Sequence, residues 1–360
     1  MESTRIYKSF KSVILSKQPS RFIAKSLRNI FFPTQISESL QRTVFIEVSN
    51  ICNAKCIFCS YKFGYRQKRF MALGEFKNVA ESCVRMGYEN LDLTSMGGEL
   101  FIHSDAINVI KEAKRAGFKH IGTYTNAILI YRYDVEELLR SGIDVLIISF
   151  PGFDKSSYQK IFQVNKYQEF KTSLFNLLKT HKIINSNVKI IFEPRTYMTK
   201  EQIEQSELYT TFILNYIGKD ILIRNPLRVF DTWSGAIKKK DMVNNMKVDI
   251  SPIKSIYPLK KVYLCTRILI LGILSNSDVR LCNCRYDETI ETNEDGLYID
   301  NIKHYKGLEE LVRSNKQKII NTWIDFLRGE MPELCKRCSF YSPVKVNEEK
   351  FENLVDRIVI

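Results

Sequence analysis

Six short aliphatic runs alternate with amphipathic stretches across residues 44–224, and few folds accommodate that alternation. The runs are Val44–Ser49, Leu91–Thr94, Ile121–Thr125, Val145–Phe150, Val188–Phe192 and Ile221–Arg224. Between them, Leu73–Arg85, Asp105–Ala116, Val135–Arg140 and Tyr167–Thr180 read as helices. A strand–helix–strand order places successive strands parallel through right-handed crossovers. Six such units predict an α/β fold, a partial (β/α)6 TIM-type barrel, with functional residues at the C-terminal ends of the strands. The alternation stops near Lys238–Lys240, and residues 236–345 hold five of the nine cysteines. The predicted organisation is therefore a basic amphipathic extension over 1–43 and a barrel over 44–235. A small cysteine-rich domain over 236–345 and a short helical tail over 346–360 complete it.

With 360 residues and 44% apolar content, such a chain can bury a large core. Its longest apolar stretch, Ile268–Leu274, is far short of the roughly 20 residues a membrane span needs. The N-terminus scatters basic residues among apolar ones, so neither a signal peptide nor a transmembrane segment is expected, and a cytoplasmic protein is. Disulfides are rare in that compartment, so clustered cysteines there point to metal. The net charge of +14 is spread along the chain, although residues 1–43 carry eight Lys/Arg against two Glu. That extension reads as a solvated helix, with contact to a membrane surface or a phosphorylated partner as the alternative. Aromatic and basic residues are not interleaved as base stacking requires, so no nucleic-acid partner is expected.

The segment Ile51–Tyr61 reads ICNAKCIFCSY and follows the first strand directly. Its Cys-x3-Cys-x2-Cys spacing puts Cys52, Cys56 and Cys59 on one short loop. Three thiolates there can bind three irons of a [4Fe–4S] cluster and leave the fourth iron open for chemistry, whereas a zinc loop is the plainer alternative. The spacing and its place resemble the signature of the radical S-adenosylmethionine (SAM) superfamily. In that family SAM chelates the open iron, and Phe58 matches the aromatic position that packs against adenine. Ser95–Glu99 (SMGGE) resembles the family's Gly-Gly-Glu element, with Gly97 and Gly98 approaching the ligand and Glu99 accepting from its ammonium group. Leu100 stands where the family usually has Pro. Asn126 matches the family's Thr-Asn-Gly, although Ala127 replaces the Gly. Ser149 stands where a ribose contact is common, and the resemblance lets Arg195 pair with the SAM carboxylate.

Cys265, Cys282, Cys335 and Cys338 form a second set, Cys-x16-Cys followed by a closing Cys-x2-Cys. Four thiolates at this spacing fit a zinc ribbon as well as a cluster. The arrangement resembles the C-terminal SPASM/twitch auxiliary-cluster domains of the superfamily, in which a hairpin (often Asp-Gly-x-Val) precedes the second cysteine. Here Ser277 or Asp278 stands where that hairpin has Gly. Five cysteines suit the shorter twitch form, with one auxiliary [4Fe–4S] cluster; Cys284 is the spare and could exchange with Cys282. Asp231–Gly235 (DTWSG) resembles a segment joining barrel to auxiliary domain, with a buried structural Trp as the plainer alternative. Cys83 reads as a small core residue.

The resemblance covers roughly residues 44 to 340. It implies that a one-electron donor such as flavodoxin or ferredoxin reduces the first cluster. That electron cleaves SAM to methionine and a 5′-deoxyadenosyl radical, which abstracts hydrogen from a substrate. Oxidation of a sugar- or cyclitol-like small molecule, in phosphorylated form in view of the basic balance, is the leading expectation. Peptide modification by a SPASM-type maturase is the alternative, and 43 residues before the first strand are too few for the recognition domain such enzymes often carry. A metal-binding scaffold that has lost catalysis is the third. The catalytic acid/base is not assigned by the sequence; Glu193, Arg224 and Arg228 are candidates by location alone.

Overall fold

Strand β1, Thr43–Ile46, lies near the middle of a nine-stranded sheet in a computed structural model that describes residues 42–248, 264–282 and 295–357, apart from 65, 345 and 347. The basic extension before Arg42, and Cys284, lie outside the described residues. Beyond β1 come α1 (Leu73–Arg85), β2 (Asn90–Asp92), α2 (Ala106–Ala116), β3 (His120–Thr125), α3 (Val135–Leu139) and β4 (Val145–Phe150). Helices α4 (Lys155–Phe162) and α5 (Tyr167–Ile183), strand β5 (Lys189–Pro194), helix α6 (Lys200–Glu204) and strand β6 (Ile221–Ile223) complete the barrel. The order β1-β2-β3-β4-β5-β6 is parallel throughout, which is the partial barrel the alternation predicts.

The core follows from periodicity. Phe76, Val79, Ala80 and Cys83 recur on one face of α1 and are buried against the sheet. Cys83 is thus the core residue its helix position suggests. On the strands, Val44, Leu91, Ile121, Leu146, Ile148, Ile190 and Phe192 face the helices and are buried. The alternate residues face the hollow of the barrel, because side chains at paired positions of parallel strands share a face. One layer pairs Phe45, Asp92, Gly122 and Val145. The next pairs Tyr124, Ile147, Ile191 and Leu222, and above it Ser149 pairs with Glu193.

Helix α4 is absent from the alternation because it is short and follows β4 after a brief turn. Its start is nevertheless encoded: Asp154 caps it by accepting from the backbone N–H of Ser157 at 2.9 Å.

The cysteine-rich part adds to the same sheet. Strands β7 (Val229–Phe230) and β8 (Lys247–Val248) form a small parallel pair, and β9 (Leu264–Cys265) leads to β10 (Leu271–Ile273), β11 (Asp278–Leu281) and β12 (Tyr298–Asn301). β10 pairs parallel with β1, and β11 and β12 continue antiparallel from it. Helices α7 (Leu308–Ser314), α8 (Lys316–Arg328) and α9 (Glu333–Arg337), strand β13 (Pro343–Val344, antiparallel to β9) and helix α10 (Glu348–Arg357) close the chain. The hairpin between Cys265 and Cys282 thus extends the barrel sheet at its β1 edge.

That junction is stitched by buried ions. Glu47, directly after β1, is fully buried and holds Arg66 at 2.5 and 3.1 Å, the N–H of Met96 at 3.1 Å and the hydroxyl of Ser275 at 3.1 Å. The Arg66 and Ser275 contacts outweigh burial and hold its carboxyl below the usual range. Beside it, Arg280 of β11 pairs with Asp295, both side chains completely buried, and approaches Met96 Sδ at 3.5 Å. The hairpin turns at Ser277 with φ +72°, the left-handed conformation that favours glycine. The resemblance places Gly at this turn; here Ser277 takes the strained backbone and bonds Glu75 of α1 through its hydroxyl.

Candidate functional site

The first cysteine loop leaves β1 at the C-terminal mouth of the barrel and is fastened from below and above. The N–H groups of Lys55 and Ile57 donate to the carbonyls of Phe162 and Ile161 at 3.0 and 2.9 Å, so the end of α4 carries the loop. The N–H of Glu99 donates to the carbonyl of Ile51 at 2.8 Å. Cys52, Cys56 and Cys59 are half-buried, and their thiols lie close enough to act on one another electrostatically. Burial pushes the Cys52 thiol up to about 12 and raises that of Cys56. Thiols in such a setting become thiolates only with strong local positive charge, as a bound metal supplies. Asn126 sits alongside, its amide Nδ2 3.9 Å from Cys52 Sγ and donating to Asn53 Oδ1 at 2.7 Å.

The Gly-Gly-Glu element forms the adjoining wall. Gly97 is buried. A Cβ on Gly98 would come within 2.2 Å of the Ser49 carbonyl and 2.9 Å of Asn50 Cα. Gly98 is therefore required here because this loop presses backbone to backbone on the start of the cysteine loop. Glu99 is buried, and burial raises its carboxyl above the ordinary value. Its oxygens accept from Phe101 N at 3.2 Å, Thr125 Oγ1 at 2.8 Å and Asn126 N at 2.8 Å. It thereby fixes the end of β3 and the position of Asn126. Ala127 follows with φ +57°, the left-handed conformation a glycine would take without strain. Removing the Glu99 carboxylate leaves three donors without their acceptor. Glu99→Ala is therefore expected to lower stability by roughly 3 kcal/mol and to weaken SAM affinity, while iron content after reconstitution stays intact. Denaturant melts and calorimetry check this; unchanged SAM affinity removes Glu99 from the site.

Phe58 is buried, stacked on Phe230 at 5.0 Å, with the Arg195 guanidinium 5.3 Å from its ring centre. Its carbonyl accepts from Trp233 Nε1 at 3.0 Å. Arg195, just beyond β5, also acts electrostatically on Cys56. Ser149, on the layer pairing with Glu193, faces the hollow. The DTWSG segment bridges the two cysteine regions: Trp233 holds the first loop, and the N–H of Thr232 donates to Ser339 Oγ, one residue past Cys338, at 2.7 Å.

The second set meets in one small cavity. Cys265, Cys282, Cys335 and Cys338 line it together with Arg267, Ile268, Leu297, Leu334, Phe340 and Tyr341. Backbone N–H groups aim at the sulfurs, Ser342 at Cys265 over 3.4 Å and Phe340 at Cys338 over 3.3 Å. Cys282 has φ +71°, so its backbone is bent to bring it there. Among the described residues, no group of three or more His, Cys, Asp or Glu side chains is placed to hold a single metal ion. Two sets, of three and of four thiols, each gathered on a short loop or around one cavity, fit multi-iron clusters by their donor chemistry.

An open parallel barrel with a cysteine triad on the loop after its first strand defines a class of cluster-dependent domain. The profile of the Radical SAM superfamily matches residues 46–193, so that stretch of the chain carries a radical SAM domain, and the superfamily's members use a [4Fe–4S] cluster and SAM. Two similar proteins are described as probable GTP 3′,8-cyclases. The one from Methanopyrus kandleri is 29% identical over 121 residues, 33% of this chain and 38% of that protein. The other, from Sulfurisphaera tokodaii, is 26% identical over 120 residues, 33% and 37% of the two chains. The chain thus spans under two fifths of these relatives. A solved structure of BtrN in complex with AdoMet and 2-DOIA covers 83% of this chain and 92% of its own, with 13% identity and a TM-score of 0.49. Streptococcus suis SuiB bound to precursor peptide SuiA covers 72% and 62%, with 16% identity and a TM-score of 0.43. No helix among the described residues is long and apolar enough to cross a membrane.

Proposed function

We propose that this chain is a radical SAM oxidoreductase acting on a small, polar molecule, sugar- or cyclitol-like. The observation that carries it is the position of the three-thiol loop at the mouth of a barrel whose hollow is lined by Asp92, Tyr124, Ser149, Glu193 and Arg224. When bound, the first cluster supplies the electron that cleaves SAM to the radical that removes a substrate hydrogen. Cys52, Cys56 and Cys59 hold that cluster. Glu99 and Asn126 set the shape of the pocket beside it, and Arg195 offers a cation to a carboxylate. Phe58, held by Phe230 and Trp233, offers an apolar edge for adenine while shielding the loop from water. Cys265, Cys282, Cys335 and Cys338 would hold the auxiliary cluster, which would supply a one-electron acceptor beside the barrel. A one-electron donor of flavodoxin or ferredoxin type serves the first cluster.

Anaerobic reconstitution is expected to load about eight irons and eight sulfides, as two four-iron clusters. A ratio near four irons with one zinc would make the second set a zinc ribbon. The decisive assay is incubation with dithionite and SAM, scanning sugars, cyclitols and their phosphates for substrate-dependent 5′-deoxyadenosine. Turnover of a peptide with none from any small molecule would replace this reading by peptide modification.

A further inference from the structure

Where β3, β5 and β6 end, one ionic network runs from the first cysteine loop to the open edge of the barrel. Glu193, almost fully buried, receives Arg195 Nη2 at 2.6 Å on one oxygen and Arg224 Nη1 at 2.8 Å on the other. The Tyr124 hydroxyl stands 3.4 Å from Glu193 and 3.5 Å from Arg224 Nη1. The two guanidiniums differ in place. Arg195 lies over Phe58 beside Cys56, and its Nε is buried without a hydrogen-bond partner. Arg224, on the edge strand's end, is 47% exposed toward the hollow's rim.

Two cations share one carboxylate, and the outer one is exposed enough for a further anion to reach it. Glu193 and Tyr124 both engage its Nη1, which leaves Nε and Nη2 to a ligand. One carboxylate, from the cofactor, suits the inner arginine. That leaves the outer guanidinium with free donors in a fork that matches paired anionic oxygens. We propose that Arg224, oriented by Glu193 and Tyr124, is the specificity-determining residue for an anionic group, phosphoryl or carboxylate, on the substrate. Resting on the proposed radical SAM reading, this names the chemistry that distinguishes substrate from neutral sugars. Glu193 then acts as a competitor: it holds both forks in place but occupies one edge of each.

The test is calorimetric titration of the anaerobically reconstituted, SAM-loaded enzyme with pyrophosphate, malonate and, at matched ionic strength, chloride. Pyrophosphate binding above the chloride blank points to a phosphoryl substrate, and malonate binding to a carboxylate one. Arg224→Gln is expected to weaken the bound anion at least tenfold, with Arg224→Lys intermediate. Glu193→Gln is expected to tighten it severalfold, an opposite sign that general loosening of the fold would not produce. Equal binding of all three anions, or no difference between wild type and Arg224→Gln, overturns the proposal. Because 5′-deoxyadenosine formation is scored separately on the wild-type enzyme, SAM cleavage without anion binding defeats only this inference. Anion binding without SAM cleavage defeats the radical reading instead.

Discussion

Replacing Cys52, Cys56 and Cys59 together by Ala is expected to abolish 5′-deoxyadenosine formation, taking it to the level of enzyme-free controls. Cys335→Ala or Cys338→Ala is expected to retain SAM cleavage but to release 5′-deoxyadenosine without product. The first loop sits on β1 and α4 at the barrel mouth, whereas the second set closes its own cavity around Leu297, Leu334 and Tyr341. Anaerobic assays with dithionite, followed by chromatography of 5′-deoxyadenosine and product, read both effects. Melting curves are required beside them, because the second set is built onto the barrel's own sheet. Wild-type rates from the triple variant would end the assignment of this loop as the SAM site.

The largest loss of stability is expected from Arg280→Met. Arg280 and Asp295 are both completely buried, and removing the guanidinium takes a directly paired cation from a carboxylate in the interior. Breaking such a pair costs about 3–5 kcal/mol. Replacing both, Arg280→Met with Asp295→Leu, is expected to recover most of that loss, since two well-packed apolar groups need no ionic partner. Denaturant titration of the two variants tests the pair; a double variant less stable than the single one would show that Asp295 serves other partners more than Arg280.

Much of the barrel was legible because its strands repeat one signal. Val145–Phe150 falls on the predicted bounds, and Leu73–Arg85 does likewise because its apolar spacing is helical from end to end. Strand ends were less legible: β1 stops at Ile46, since Glu47 turns into a buried ionic knot that local sequence does not reveal. Helix α4 escaped notice, although Asp154, Ser157 and the apolar pair Ile161–Phe162 are the signature of a capped helix. The pairing of β10 with β1 could not be read at all, because the partners are separated by more than two hundred residues and nothing local announces it. At the site, cysteine spacing located both thiol sets. Yet it did not disclose that Glu99 braces Asn126, that Phe58 is covered by Phe230, or that Gly98 serves backbone contact. Those roles depend on neighbours far along the chain. Two departures from the family pattern, Ala127 and Ser277, became intelligible only as residues held in left-handed backbone.

The parallel pairing of β1 with β10 also bears on how the protein is made. On a ribosome, Thr43–Ile46 emerges long before Leu271–Ile273, so one edge of the strand that carries the cysteine loop waits open while most of the chain is still being synthesised. Glu47 waits with it, lacking the Ser275 contact that completes its shell. Long-range pairing of this kind is slow to form and leaves exposed edges meanwhile. Metal delivery to the first loop before the downstream third has been translated would therefore meet a half-built cradle, and late loading, onto the released polypeptide, is the order the architecture favours.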